Sequence, residues 1–149
     1  MYRHLLVPTD GSRLSLRAVK TATRLAISLG SRISVVHVVP PWVPPLYGDP
    51  LSYLPIVSDP AEFKENAERS AQRVLATAAR RVESLGVSCA SVVCTHEHPW
   101  EGILKTARSR RCDLIVMASH GRRGLAGVLL GSEAARLLTH SRLPVLVCK

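Results

Sequence analysis

The residues best placed to do chemistry are Ala118-Ser119-His120-Gly121, followed after nine residues by Gly131-Ser132. They follow an apolar run, Leu114 to Met117, that reads as a buried parallel strand. They lead into Ala134, Ala135, Leu137 and Leu138, a helical spacing for which Ser132 is the expected N-cap. The order strand, glycine-bearing loop, helix suits a phosphate chain. Glycine lets backbone N–H groups turn inward and a ligand approach closely. The helix start adds free donors and a partial positive charge. His120, Arg122 and Arg123 can pair with phosphate oxygens, whereas Glu133, in the first helical turn, would repel phosphate if it pointed inward.

A second candidate is the turn Pro8-Thr9-Asp10-Gly11-Ser12, after the short apolar strand His4 to Val7. A carboxylate here can accept a base or ribose donor, or hold a metal that bridges phosphates. Its other reading is a cap for the helix that follows, with the binding reading the stronger of the two. Other constellations are poorer. His96-Glu97-His98 has no nearby third ligand and reads as a loop before a helix rather than a metal site. Ser119 and His120 are adjacent on a loop, which is not a triad, and the Walker lysine pattern is absent. Any ATP hydrolysis would have to rest on positioned phosphates and a metal. A phosphorelay receiver would need an acid at the end of the third strand, where Cys94-Thr95-His96 stands.

The elements that must position these residues are legible as alternation. Leu14, Ala18, Ala22, Leu25 and Leu29, widened by Val19 and Ala26, form one helix face that stops at Gly30. Ile33 to Val39 is almost continuously apolar, as a strand covered on both sides should be. Residues 40–60 hold seven of the ten prolines and form a long loop. Asp59-Pro60-Ala61-Glu62 starts a helix whose stripe runs from Ala67 to Leu85. A third strand is expected over Val87 to Thr95, where Ser88 and Ser91 suit a sheet edge, and Pro99 opens a third helix. Pro144 before the last strand also suits an edge. Five strands alternating with four helices predict a single-domain α/β fold over residues 1–149, with a doubly wound, open parallel sheet.

Several of these motifs resemble the universal stress protein family. His4 to Ser12 is similar to its opening strand and aspartate-bearing turn, His37-Val38-Val39 to its second strand, and Leu143 to Val147 to its last. The loop is similar to that of the nucleotide-binding members, Gly-x-x-Gly, nine residues, Gly-Ser or Gly-Thr, with Ala118 in place of the first glycine. The resemblance implies strand order 3-2-1-4-5 and an adenine nucleotide, ATP or else AMP or ADP, with or without magnesium. It implies Pro8, Thr9, Asp10 and Val38 on the base and ribose side, and Met117, Ala118 and Gly121 near the sugar and phosphates. Gly131 and Ser132 would hold the phosphate tail. It further implies a stress-linked sensor or regulator that forms a homodimer through Val145 to Cys148. The alternatives are a protein-interaction module of the same fold without nucleotide, which Ala118 and Glu133 favour, and a slow ATPase.

The bulk numbers set the frame. A chain of 149 residues can bury one sizeable core. No apolar run reaches the ~18–20 residues that span a bilayer, and no secretory signal is evident at the N-terminus, so no membrane and a cytoplasmic location are expected. The net charge is +9, but the basic residues are spread out and aromatics are only 4%, so the expectation is solvated helix faces and no nucleic-acid partner. A basic surface would still steer an anionic nucleotide. The four cysteines, Cys89, Cys94, Cys112 and Cys148, form no CxxC pair and read as small buried side chains.

Overall fold

The computed structural model describes residues 1–44, 59–120 and 130–149. Its elements alternate as expected: β1 (His4–Pro8), α1 (Arg13–Leu29), β2 (Arg32–Val39), α2 (Pro60–Glu83), β3 (Cys89–Thr95), α3 (Pro99–Ser109), β4 (Leu114–Ala118), α4 (Ser132–His140) and β5 (Val145–Cys148). The five strands pair in the order β3-β2-β1-β4-β5, all parallel. Both strands expected at edges, β3 and β5, are there. Most of the 40–60 loop lies outside the described residues.

Two apolar layers cover the sheet. Val19, Ala22 and Ala26 of α1 and Leu75, Ala78 and Val82 of α2 pack with Leu5, Val7, Ile33, Val35 and Val116 on one face. Ile103, Leu104 and Ala107 of α3 and Ala134 and Leu137 of α4 pack with Leu6, Val36 and Ile115 on the other. Leu5 and Leu6, adjacent in β1, thus serve opposite layers, as the two-residue period of a strand requires.

Local chemistry sets the element ends. Ser12 caps α1 by accepting the Ser15 N–H, and Gly30 ends it in the left-handed conformation at φ 64°. Asp59 caps α2 through the Ala61 N–H, with Pro60 in the first turn. The buried face of α1 centres on the small residues of the expected one. Ser15, Ala18, Val19, Ala22, Thr23 and Ala26 are buried, while Leu14, Leu25 and Leu29 are only half-buried. Three alanines let the helix lie close to the sheet, and the leucines close the rim. β3 begins at Cys89 rather than Val87, which is buried just ahead of the strand.

The Asp113 carboxylate fixes the β1–β4 junction. Its two oxygens accept the backbone N–H groups of Arg3 at 2.8 Å and His4 at 3.0 Å. The Asp113 N–H in turn donates to the His4 carbonyl. Beside this clamp, the buried His4 side chain shares a 2.9 Å hydrogen bond with Ser34. Burial, and after it the Arg32 guanidinium, hold the His4 pKa below its ordinary value of 6.5. The unfolded chain therefore takes up a proton that the fold resists. His4's contribution to stability is complete above about pH 6.5 and is lost as the pH falls below it. Thermal melts from about pH 7 to about pH 5 should fall more steeply in the wild type than in His4→Gln. Parallel slopes would remove His4 from the pH response.

Candidate functional site

β1 and β4 are neighbours whose chains leave the sheet in opposite directions, β1 towards α1 and β2, β4 towards α4 and β5. A crevice outside the carboxyl ends of the strands belongs at such a reversal. Two bends leave the neighbouring strands at these ends, residues 8–12 after β1 and, after β4, the described ends of the loop, residues 119–120 and 130–131.

The first bend is rigid. The Thr9 N–H donates to the Val36 carbonyl at 2.9 Å, and the Thr9 carbonyl lies 2.7 Å from His37 Nδ1. The Thr9 hydroxyl, buried with its residue, is within 3.0 Å of Ser15 Oγ and accepts the Gly11 N–H. That hydroxyl is spent inside the turn. Asp10 Oδ1 accepts the Ser12 N–H at 3.0 Å. Gly11 has φ 77°, the left-handed region that lets the chain reverse into α1. Asp10 thus shapes the turn, while Ser12 is the helix cap. His37 ties the bend to β2.

The second bend is closed at its neck. The Ser119 N–H donates to the Cys148 carbonyl and the Ser119 carbonyl accepts the Gly131 N–H, both at 2.8 Å. Residues 120 and 131 therefore stand side by side although ten residues separate them. A Cβ on Gly131 would lie 3.1 Å from the Ser119 carbonyl oxygen and 3.5 Å from His120 Cα. The missing side chain is what lets the two limbs touch. Gly131, not Ser132, caps α4; Ser132 is the first helical residue and is exposed. A glycine cap has no side chain to bond the first turn of α4, so those N–H donors lack that partner. His120 Nδ1 is 3.1 Å from Ser119 Oγ, and its Nε2 is buried without a partner among the described residues. Gly121, Arg122 and Arg123 lie outside the described residues.

Met117 and Ala118 close β4 and are buried, Ala118 opposite Cys148. Since the Ala118 methyl is already packed, Ala118→Gly should change nucleotide affinity by less than about threefold, within ~0.7 kcal/mol. A tenfold gain in a binding titration would show the methyl to be an obstacle. Val38 is half-buried near the end of β2, and its side chain faces α3. A Cβ on Gly102 would meet Val38 Cγ1 at 3.0 Å and His96 Cβ at 3.1 Å, so Gly102 admits α3 against the end of β2. Glu133 does not extend over the neck. Its Oε2 accepts the Trp100 N–H at 3.0 Å and so serves the first turn of α3. Trp100 lies over the His140 ring, with centroids 4.5 Å apart, and completes the α3–α4 contact.

Sequence reasoning missed Ser119 as the neck of the loop and Gly102 as the spacer behind Val38. Ser119 carried a signal, since it directly follows the apolar run of β4. Gly102, inside a helical pattern, would ordinarily be read as mere tolerance. The His96–Glu101 pair, 3.7 Å apart, and the His98 N–H donated to His96 Nδ1 tie the 96–98 segment to the start of α3. The cysteines are free thiols, and burial pushes Cys89 and Cys112 up to about 11.

A parallel sheet in this order, with a glycine-necked turn into a helix at the reversal, defines a doubly wound α/β protein, and folds of this class take their ligands outside the carboxyl ends of the strands at such a reversal. The sequence profile described as Universal stress protein family matches residues 1–149, and the chain belongs to that family. Universal stress protein MJ0531 of Methanocaldococcus jannaschii is 32% identical, covering 100% of this chain and 83% of its own length. A solved universal stress family protein from Burkholderia pseudomallei is 30% identical with a TM-score of 0.75, covering 99% of this chain and 96% of that one. A universal stress protein solved in complex with cAMP is 25% identical with a TM-score of 0.70, covering 99% and 97%. No described helix is long and apolar enough to cross a membrane.

Proposed function

We propose that this chain binds an adenine nucleotide, ATP or its mono- or diphosphate, in the crevice between the two bends, and acts as a cytoplasmic, nucleotide-dependent regulator in stress responses. The observation that carries the reading is the closed neck beside the aspartate turn. The Gly131 N–H on the Ser119 carbonyl holds the start of α4 at the carboxyl end of β4, next to the end of β1. The cAMP complex of a relative supports the ligand class. In this reading Pro8, Thr9 and Asp10 flank the base and ribose, with Val38 contributing through its backbone because its side chain is packed on α3. Met117, Ala118 and Gly121 approach the sugar and phosphates. Gly131, Ser132, His120 and Arg122 receive the phosphate tail, and Asp10 is the residue that would hold magnesium, which would offset phosphate charge there. Glu133, occupied with Trp100, holds α3 rather than the ligand.

The chain dimerises in this reading by pairing β5 with its copy. β5 is an edge strand, and Leu146 on it is 40% exposed. Titration with a fluorescent ATP analogue, with unlabelled ATP, ADP, AMP and cAMP as competitors, tests the site. Saturable binding displaced by adenine nucleotides is the expected result. No saturable binding at millimolar nucleotide with magnesium would leave a protein-interaction module of the same fold.

A further inference from the structure

Helix α1 breaks a charge rule that the other three described helices keep. α2, α3 and α4 each carry a glutamate in the first turn and a basic residue in the last, matching the helix dipole. α1 has no acid in its first turn, opens on Arg13, and contains no aspartate or glutamate in its 17 residues. Its cations, Arg13, Arg17, Lys20 and Arg24, follow at steps of four, three and four and are all exposed. They form one stripe ~16 Å long. Like charges at such spacings repel, and the usual remedy is an interleaved acid. Arg13, Arg17 and Lys20 make no ion pair among the described residues.

The stripe also borders a concavity. A groove of about 380 Å³ is lined by Gly11, Arg13, Leu16, Arg17, Lys20 and, from α2, Arg81. Four of the six lining residues are cations, and none is acidic. A shared concavity concentrates their field, and an anion placed in it meets several charges at once. Local rules broken together at one place mark functional sites more often than stability sites. No aromatic residue lines the groove, so it offers nothing for a base to stack on. Charge alone would select its ligand.

We propose that the α1–α2 groove, which shares only Gly11 with the bend of the switch-point crevice, is a second anion site that takes a linear chain of phosphates, with Arg17 and Arg81 as its two walls. The site stands independently of the nucleotide reading. The test is calorimetric titration of the full chain with inorganic tripolyphosphate and with a long-chain polyphosphate, at low and at physiological salt. Saturable binding that weakens as salt rises is expected. Arg17→Gln with Arg81→Gln should weaken it by about tenfold or more, while Lys105→Gln with Arg108→Gln on α3, which also removes two exposed charges, should not. Equal losses in both variants would mean attraction to net charge only, and would overturn the site. Binding abolished by Gly131→Asp but kept in Arg17→Gln/Arg81→Gln would assign the anion to the crevice instead. A single-stranded oligonucleotide that displaces polyphosphate at lower charge equivalents would overturn the choice of ligand. Circular dichroism of each variant keeps loss of fold apart from loss of site.

Discussion

Gly131→Asp is expected to weaken ATP binding by more than about a hundredfold while leaving the far-ultraviolet circular dichroism unchanged. The backbone at Gly131, φ −70° and ψ 156°, is open to any residue, and aspartate is a favoured cap. The added Cβ would sit 3.1 Å from the Ser119 carbonyl oxygen, so the neck must open by a few tenths of an ångström. That is a modest strain. The carboxylate, in contrast, would stand where the phosphate tail is proposed to lie. Two like charges about 4 Å apart at a protein surface repel by roughly 4 kcal/mol, more than enough for a hundredfold loss. Gly131→Asn separates the causes, since it has the same shape without the charge and should lose less than about tenfold. Equal losses in both would make the effect steric, and unchanged affinity in Gly131→Asp would remove the loop from the site.

Asp113→Ala should produce the largest stability loss of any single polar truncation discussed. Its carboxylate holds two backbone N–H groups of the strand at the centre of the sheet, from 109 and 110 residues away. Hydrogen bonds to a charged acceptor are worth about 1.5–3 kcal/mol when buried. Arg3 is exposed and its share is smaller. A total of about 2 kcal/mol is expected, or ~4–8 °C in melting temperature for a chain of this length. Asp113→Asn, which keeps one strong acceptor, should recover about half. Urea denaturation with a loss below ~0.5 kcal/mol would show the clamp to be ornamental. The same variant should leave nucleotide affinity nearly unchanged, because Asp113 lies before β4 and the crevice lies beyond its far end.

The elements were legible where physical signals agreed. Asp59-Pro60 and Gly30 bound their helices because capping depends on a few neighbouring atoms. The strand order came from the family resemblance, since alternation alone does not specify which strands pair. The small residues expected on the α1 face, Ala18, Val19, Ala22 and Ala26, are the ones the sheet buries, while Leu14, Leu25 and Leu29 lie at the rim because close approach of the helix leaves room only for small side chains beneath it. Among the candidate site residues, Asp10 was legible as a turn residue because its partner, the Ser12 N–H, is two residues away. Residues whose role is set by a distant partner were not. Glu133 looked like a threat to phosphate because its partner, the Trp100 N–H, is 33 residues away. Gly102 gave no signal, because Val38 and His96, which would press on a side chain there, belong to other segments. Ser132 looked like a cap because serine caps helices well, yet the neck required glycine at that place and shifted the cap by one residue.

The measurement that bears most directly on the shared crevice is amide chemical-shift mapping by NMR as ATP is added, with and without magnesium. The account predicts that Thr9 to Ser12, Ser119, His120, Gly131 and Ser132 move together along one saturation curve. Shifts confined to one bend, or a saturable response that spares both, would contradict it.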